Sequence, residues 1–277
     1  MNKLPHSHTL TVHEKDGLVY YTFPAFDEIP FVRHGFSTRL GGVSEGIYES
    51  MNLSFSRGDD PAAVRENFAR FCQAIGTHHE NVVISAQEHH TVIYKATAAD
   101  RGRGVTRERG YTDIDGLMTD QAGVVLCTQY ADCVPLFFVD PLRRVVATSH
   151  SGWKGTVARI GAVTVERMCQ EYGCRREDIL VGIGPSIGPC CFEVDAPVYE
   201  AFTALALFDG GCFRQRGDKF DIDLWEINRR ILTEAGIKES HITVTDLCTR
   251  CYPEVFWSHR ATGGQRGSLA GFIAINE

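Results

Sequence analysis

Apolar runs alternate with helix-like segments through the middle of the chain, and this pattern predicts strands that alternate with helices. Three runs between Val124 and Ser149, VVLCT, VPLFFV and RVVATS, are almost continuously apolar, which is typical of strands buried on both faces. Four later runs predict further strands, namely ILVGIG, KFDID, HITVTD and LAGFIAIN. We therefore expect a central sheet arrangement, although the order of its strands cannot be read from the pattern.

Helix periodicity and end signals predict three helices. The first begins at Asp60-Pro61, an N-cap followed by proline at the first helical position, and Gly76 ends it. Each of the other two is followed by a glycine, where a left-handed C-cap is expected, and they cover about residues 154–172 and 223–235. The combination predicts an α+β fold (α/β mixed), with mixed central β-sheets sandwiched by outer helices.

Nothing in the sequence divides the chain, because it contains neither a linker rich in proline or serine nor an internal repeat. We expect one domain over residues 1–277, with residues 1–15 as a flexible N-terminal tail that includes His6, His8 and His13. With 43% hydrophobic residues, the chain can bury a sizeable core.

Charge and hydropathy exclude several classes of partner. The formal charge is −7 and the basic residues are dispersed, so we expect no binding to nucleic acid. No apolar run is long enough for a membrane span, and the first residues lack the features of a signal peptide. We therefore expect a cytoplasmic protein whose ten cysteines are reduced, most of them serving as packing residues.

Three residues near the ends of the central strands have the chemistry of metal ligands: His89, Cys133 and His150. Two imidazoles and one thiolate fit a catalytic zinc site, which keeps three protein ligands and one open position. The spacings are long and match no local zinc motif, so packing residues remain an alternative, and His90 is an alternative to His89.

The sequence blocks that surround these residues resemble those of the YfiH-like family, which has been described both as a laccase-domain or polyphenol oxidase family and as purine nucleoside phosphorylases. The blocks span about residues 35–271 and include GFSTRLGGVSEGIYESMNL, AQEHHTV, DGLMTD, YADCVPLFF, HSGWKGT, GIGPSIGPCCFEV, TDLCT and SHRATGG. The resemblance implies a zinc ion on the histidine of Q-x-H, the cysteine of A-D-C and the histidine of H-x-G-W. These are His89, Cys133 and His150, and the match favours His89 over His90.

The activity implied by the resemblance is phosphorolysis of adenosine, and also of inosine, guanosine and methylthioadenosine, together with deamination of adenosine. The partners would be a purine nucleoside and phosphate, and the protein a monomer or a small homo-oligomer. Phosphate needs cations and hydrogen-bond donors near the metal. The candidate substrate-binding residues are Arg39, Ser37, Asn52, Gln87, Lys154 and Arg260.

The C-terminal block departs from the family pattern of an R-R pair followed by a G-R pair. Arg260 is present, but Ala261 takes the place of the second arginine and Ser268 apparently that of the G-R arginine. This departure puts the contribution of the block to anion binding in question. The sequence also lacks the H-x-E motif of zinc deaminases, so no general acid or base is identified.

Three other functions remain open at this point. A copper polyphenol oxidase would need several H-x-H pairs, whereas the only one is His6-Ser7-His8, so copper is less favoured than zinc. A cysteine hydrolase or amidase acting on peptidoglycan precursors would use Cys133 as its nucleophile. A zinc-stabilised binding module would need a fourth ligand. The Cys248–Cys251 C-x-x-C motif and the adjacent Cys190 and Cys191 are interpreted as packing residues.

Overall fold

The computed structural model describes residues 4–276, which contain fifteen strands and seven α-helices. The strands are β1 Thr11–Lys15, β2 Leu18–Thr22, β3 Val32–Ser37, β4 Val82–Ile84, β5 Ile93–Lys95, β6 Gly116–Thr119, β7 Val125–Tyr130, β8 Val134–Asp140, β9 Val145–Ser151, β10 Leu180–Ile183, β11 Glu193–Val194, β12 Phe213–Arg216, β13 Lys219–Ile222, β14 Ile242–Val244 and β15 Leu269–Ile275. The helices are α1 Pro24–Asp27, α2 Pro61–Ala74, α3 Trp153–Val157, α4 Ile160–Tyr172, α5 Ala196–Thr203, α6 Leu224–Glu234 and α7 His259–Thr262.

Two six-stranded mixed sheets form the centre of the fold. The first has the order β1-β2-β3-β15-β7-β4 and the second the order β14-β10-β8-β9-β6-β5. In the first sheet only the β4–β7 pair is parallel, and in the second the β10–β14 and β5–β6 pairs are parallel. A third sheet, with the order β11-β13-β12, has three strands and is separate from the two large sheets.

Three apolar clusters hold the layers together. Phe36, Leu126 and Phe137 belong to the cluster between the two large sheets. Helix α2 covers the outer face of the first sheet through Phe68 and Phe71. Helices α4 and α6 cover the outer face of the second sheet. The predicted α+β class, with mixed sheets between outer helices, is confirmed.

The predicted helix over residues 154–172 is two helices, because Arg159 adopts the left-handed conformation with φ of 61° between α3 and α4. The other helix ends follow the sequence signals. Asp60 caps α2 through the backbone N–H of Ala62, and Gly173 ends α4 with φ of 66°. The sequence signals located the ends of these helices but not the interruption between α3 and α4.

The N-terminal segment is not a free tail over the residues that the structure describes, which corrects that expectation; residues 1–3 lie outside them. Thr11–Lys15 form β1, which pairs with β2 along its whole length. Ser7 and the backbone N–H of His8 donate hydrogen bonds to the carboxylate of Asp246, which anchors the segment before β1. The mixed polar pattern of this stretch did not predict a strand, because a strand at the edge of a sheet need not be apolar.

No helix within residues 4–276 is both long and apolar enough to cross a membrane.

Candidate active site

The three predicted metal ligands lie together in the structure. The ligand atoms of His89, Cys133 and His150 are all within 4.8 Å of one another, and the two imidazole centroids are 4.8 Å apart. His90 points elsewhere, since its Nδ1 lies 2.6 Å from an oxygen of Asp113 at the surface. The fold therefore brings together residues that are 44 and 17 positions apart in the sequence.

Strand register positions two of these residues. In the antiparallel β8–β9 pair, Val134 lies opposite Ser151 and Pro135 lies opposite His150. Cys133 directly precedes Val134, so its thiol reaches the same end of the pair as the His150 imidazole. The third residue, His89, lies in the loop after β4 with φ of 65°, a left-handed conformation that no periodicity predicts.

A buried carboxylate, Asp115, organises the cluster. Its Oδ1 accepts hydrogen bonds from Nδ1 of His150 at 2.8 Å and from the backbone N–H of His89 at 3.1 Å. Its Oδ2 accepts from the backbone N–H groups of Glu88 and His90. With Nδ1 of His150 engaged as the donor, Nε2 is the ring nitrogen left to face the cluster and, once deprotonated, could bind a metal; this arrangement orients histidine ligands of metals.

The protonation states follow from these contacts. Burial opposes the charged form of Asp115, yet the hydrogen bonds from His150 and from two backbone N–H groups hold its pKa below the ordinary value. Burial, followed by the nearby His150, lowers the pKa of His89 and favours the neutral, ligating imidazole. Burial also opposes the charged form of His150, but Cys133 and Asp115 raise its pKa to about 9, so a bound cation displaces a proton there.

The space among the three side chains suits a metal ion. A Cβ atom at Gly152 would lie 2.7 Å from Nδ1 of His89 and 3.1 Å from Sγ of Cys133, so glycine alone leaves the cluster undisturbed. Ligand atoms at 2.0–2.3 Å from a shared zinc ion are about 3.3–3.8 Å apart, which is compatible with this spacing. The donor set of two imidazoles and one thiolate fits zinc.

Two cavities meet at the cluster and share Arg57, His89, Ala131, Cys133 and Arg266. The larger, of about 440 Å³, has an apolar wall formed by Trp153, Ile187, Phe192 and Leu224, and Asp132, His259 and Arg260 add polar groups to its lining. The smaller, of about 220 Å³, is lined mainly by polar side chains, which are Ser54, Ser56, Arg57, Ser85, Gln87, Arg109, Gln129, Tyr130, His150, Arg266 and Ser268. The candidate metal cluster therefore lies between a cavity with an apolar wall and a smaller, mainly polar one.

Three arginines make the smaller cavity cationic: Arg57, Arg109 and Arg266. Arg266 is 8% exposed and donates to its neighbours, the carbonyl of Gly267 and the hydroxyl of Ser268. Burial, and next the nearby Arg57, lower its pKa to about 10. Within residues 4–276, the buried Nε atoms of Arg109 and Arg266 have no hydrogen-bond partner. Buried donors without partners are costly, so this cavity is suited to an anion.

Several predicted substrate contacts lie away from both cavities. Arg39 stacks over the Trp257 ring at 3.8 Å and donates to the carbonyl oxygens of Glu49 and Pro253. Ser37 and Asn52 are fully buried, and both accept backbone hydrogen bonds that hold β15 and the segment before it. In this structure the three side chains support the fold around the site and do not line it.

The other predicted contacts lie at or near the site. Gln87 lines the smaller cavity, although both ends of its amide bind the backbone of Gln129. Arg260 lines the larger cavity and donates to the carbonyl oxygen of Glu193. Lys154 is exposed and its Nζ lies 5.7 Å from the Trp153 ring centroid, outside both sets of cavity-lining residues.

The C-terminal block does contribute a cation, which answers the question raised by its altered sequence. Arg266 lines both cavities, whereas Ala261 and Ser268 stand where arginines were expected. Asp132 anchors this block beside Cys133, since its carboxylate accepts hydrogen bonds from the Thr249 hydroxyl and the backbone N–H of Arg260. Sequence reasoning missed Arg57, at the end of a short 3-10 helix, and Arg109 and Arg266, in loops, because their segments carry no local motif. The arginine in QRGS was the one available signal.

The family model described as multi-copper polyphenol oxidoreductase laccase matches residues 33–276. This chain belongs to the YfiH-like family. Among YfiH-like relatives, purine nucleoside phosphorylase YlmD of Bacillus subtilis is 36% identical over 245 residues, which cover 88% of both chains. The relative named adenosine deaminase RL5, from an unknown prokaryotic organism, is 34% identical over 238 residues, covering 84% of this chain and 90% of its own.

Solved structures of YfiH-like proteins have the same fold. The crystal structure of YlmD from Geobacillus stearothermophilus matches 97% of this chain and 99% of its own, with a TM-score of 0.90 at 34% sequence identity. The family relationship expected from the sequence blocks is therefore confirmed, and the chain is an enzyme of this family.

Proposed function

We propose that this protein is a zinc-dependent purine nucleoside phosphorylase that also deaminates adenosine. One observation carries the proposal: the His89–Cys133–His150 cluster lies where a cavity with an aromatic and aliphatic wall meets a smaller one lined mainly by polar side chains. A nucleoside has an apolar, planar base and a polar sugar, and phosphorolysis brings an anion to that sugar. The two cavities match these two requirements. The names of the relatives, which include both activities, support the same assignment.

The larger cavity would hold the purine. Trp153 and Phe192 offer aromatic surfaces, and Ile187 and Leu224 add aliphatic ones. Aromatic walls stabilise a flat heterocycle by stacking and by excluding water. Adenosine, inosine, guanosine and methylthioadenosine share the purine ring, so we propose all four as substrates, with adenosine foremost.

The smaller cavity would hold phosphate. Its three arginines would neutralise the negative charge, and the guanidinium groups of Arg109 and Arg266, whose Nε donors have no partner within the described residues, could make charge-assisted hydrogen bonds to phosphate oxygens. Because both cavities share Cys133 and His89, phosphate here would lie next to the sugar of a nucleoside bound in the larger one. Such positioning converts a bimolecular encounter into an oriented reaction.

Zinc, when bound at the three ligands, would supply a Lewis acid and an activated water molecule for deamination. Asp115 holds the His150 ring in one tautomer, and Gly152 keeps the space clear. The family description mentions copper. Within residues 4–276, however, the potential metal ligands form only this cluster and a group of four cysteines, without the several histidine sites of a multicopper oxidase. We therefore propose zinc.

A second candidate function follows from the Asp115–His150–Cys133 arrangement, in which a carboxylate orients an imidazole beside a thiol. Thiol–imidazole pairs activate cysteine nucleophiles, so an amidase acting on peptidoglycan precursors could use the same residues. The two functions differ in metal dependence. A nucleophilic thiol works without metal, whereas the phosphorylase proposal needs the cluster loaded.

The test is to incubate zinc-loaded protein with adenosine, with and without phosphate, and to follow adenine and inosine. We expect adenine and ribose 1-phosphate only when phosphate is present, inosine in both conditions, and loss of all products on chelation. Absence of both products from protein with verified zinc content would refute the proposal. Full activity of metal-free protein on an amide substrate would favour the cysteine hydrolase.

A further inference from the structure

A second group of potential metal ligands lies outside the active-site cluster. The sulfur atoms of Cys190, Cys191, Cys248 and Cys251 are all within 4.8 Å of one another, and all four cysteines are unbridged. The sequence had suggested that they only pack. We propose that these four thiolates form a closed, structural zinc site that holds the wall of the larger cavity in place.

The spacing of the sulfur atoms fits one shared ion. Sγ of Cys251 lies 3.5 Å from Sγ of Cys190 and 3.5 Å from Sγ of Cys191. Four sulfur atoms at about 2.3 Å from a central zinc ion, at the corners of a tetrahedron, are about 3.8 Å apart. A disulfide would bring two of them to about 2.05 Å. Four thiolates around one point are the donor set of structural zinc sites.

Neighbouring donors compensate the charge that four thiolates would carry. The backbone N–H of Gly188 donates to Sγ of Cys248 at 3.2 Å, and the guanidinium of Arg250 donates to Sγ of Cys191 at 3.4 Å. A Cβ atom at Gly188 would lie 2.9 Å from the Trp225 ring and 3.2 Å from Cβ of Cys248. This close approach depends on glycine, so the loop is fitted to the sulfur cluster.

The four cysteines join two segments that border the active site. Cys190 and Cys191 lie between Ile187 and Phe192, two residues of the larger cavity's wall. Cys248 and Cys251 flank Thr249, whose hydroxyl donates to Asp132 beside the Cys133 ligand. Apart from a bridge between Ser186 and Cys248 and a few hydrogen bonds, these are irregular loops. An ion bound by both would fix their separation and hence the shape of the cavity.

The test counts zinc in protein purified under reducing conditions. We expect two zinc ions per chain in the wild type and one in the H89A/C133A variant, which lacks two ligands of the active-site cluster. The C190S/C251S variant should also retain one ion. Both of its substituted residues are exposed, so folding should survive and can be checked by circular dichroism. The matched control C169S, at a half-buried cysteine outside both groups, should hold two.

Cobalt substitution gives a second readout that does not depend on activity. Four thiolates give strong sulfur-to-cobalt charge-transfer absorption, which should persist in H89A/C133A. In C190S/C251S it should fall to the weaker band expected from the single thiolate of Cys133. Chelation should lower the melting temperature of H89A/C133A but not that of H89A/C133A/C190S/C251S. A folded H89A/C133A protein that takes up no metal would overturn the proposal. A disulfide would also overturn it. Protein isolated without reductant would then lack the second zinc ion, and its mass would be about 2 Da below that of the reduced chain.

Discussion

Asp115 and His150 are joined by a 2.8 Å hydrogen bond between a carboxylate oxygen and Nδ1, and both side chains are almost completely buried. The same carboxylate binds three consecutive backbone N–H groups of the loop that carries His89. A single side chain thus orients one proposed metal ligand, His150, directly and another, His89, through its backbone.

Asp115→Asn should weaken zinc binding by roughly 10- to 100-fold, as does the loss of comparable partners of histidine ligands elsewhere. The amide keeps the size of the carboxylate but turns one acceptor into a donor that faces backbone N–H groups. Zinc affinity measured by competition with a chelator reports the effect. Asp113→Asn, at the exposed partner of His90, is the matched control and should leave the affinity unchanged. Equal affinity in both variants would contradict this role of Asp115.

Gly152→Ala should prevent metal binding at the His89–Cys133–His150 cluster, but not at the four cysteines, without unfolding the protein. The new methyl group would approach Nδ1 of His89 to 2.7 Å, and His89 is exposed enough to move away. Zinc content and both catalytic activities should fall together, whereas the melting temperature of the metal-free protein should change little. Gly210→Ala, where a Cβ atom meets nothing within 4 Å, serves as control. Normal zinc content in Gly152→Ala would show that the ion lies elsewhere.

Arg266→Gln should raise the KM for phosphate by roughly 10- to 100-fold, the cost of losing one charge-assisted hydrogen bond. Deamination consumes no phosphate, so its kcat/KM should stay within about threefold of the wild-type value. This difference separates loss of a phosphate contact from general damage to the site. Arg70→Gln removes an arginine that forms an exposed ion pair with Glu66 and should change neither activity. An unchanged KM for phosphate in Arg266→Gln would place the anion elsewhere.

His34 should make the protein less stable in acid. Its Nε2 accepts a hydrogen bond from the backbone N–H of Phe23 at 2.8 Å, which requires a neutral ring, and burial followed by the charge of His13 lowers its pKa to about 3. The unfolded chain binds this proton near pH 6.5 and the folded chain only near pH 3. Stability from this group is therefore complete above pH 6.5 and declines by about 1.4 kcal/mol for each pH unit below about 6.

Urea unfolding from pH 7 to pH 4 measures this loss. His34→Gln can still accept the hydrogen bond from Phe23 but does not titrate, so its stability should fall less steeply with decreasing pH than that of the wild type. His78→Gln, at an exposed histidine, should keep the wild-type slope. Parallel curves for wild type and His34→Gln would mean that His34 is protonated in the folded state.

The sequence predicted the layers of the fold more fully than the composition of the site. Continuous apolar runs predicted β7, β8 and β9, since burial on both faces leaves few polar positions. Strand order depends on long-range pairing, such as β15 between β3 and β7, and no local pattern specifies it. The sequence did not predict β1, because this strand is mostly exposed and therefore has no apolar run.

Sequence motifs singled out the His89–Cys133–His150 cluster, but the arginines that we propose to bind the anion are brought together only by the tertiary structure. Arg57, Arg109 and Arg266 come from three separate segments, and each resembles an ordinary surface arginine in its own segment. Conversely, Arg39 was a candidate substrate-binding residue, yet its guanidinium donates to two carbonyl oxygens and stacks on an indole ring. Which cations remain available for a ligand is decided by packing.

The pairing of β8 with β9 links the hairpin turn to the geometry of the proposed metal ligands Cys133 and His150 at the other end of the hairpin. Asp140 fixes that turn by accepting hydrogen bonds from the backbone N–H groups of Leu142 and Arg143, at the end of the hairpin opposite to Cys133 and His150. A change of one residue in the length of the turn would shift the two strands and rotate the His150 imidazole to the other face of the sheet. Substitutions in this turn are therefore tolerated as long as its length stays the same. An insertion or deletion there would move the proposed metal ligands at the other end of the seven residue pairs.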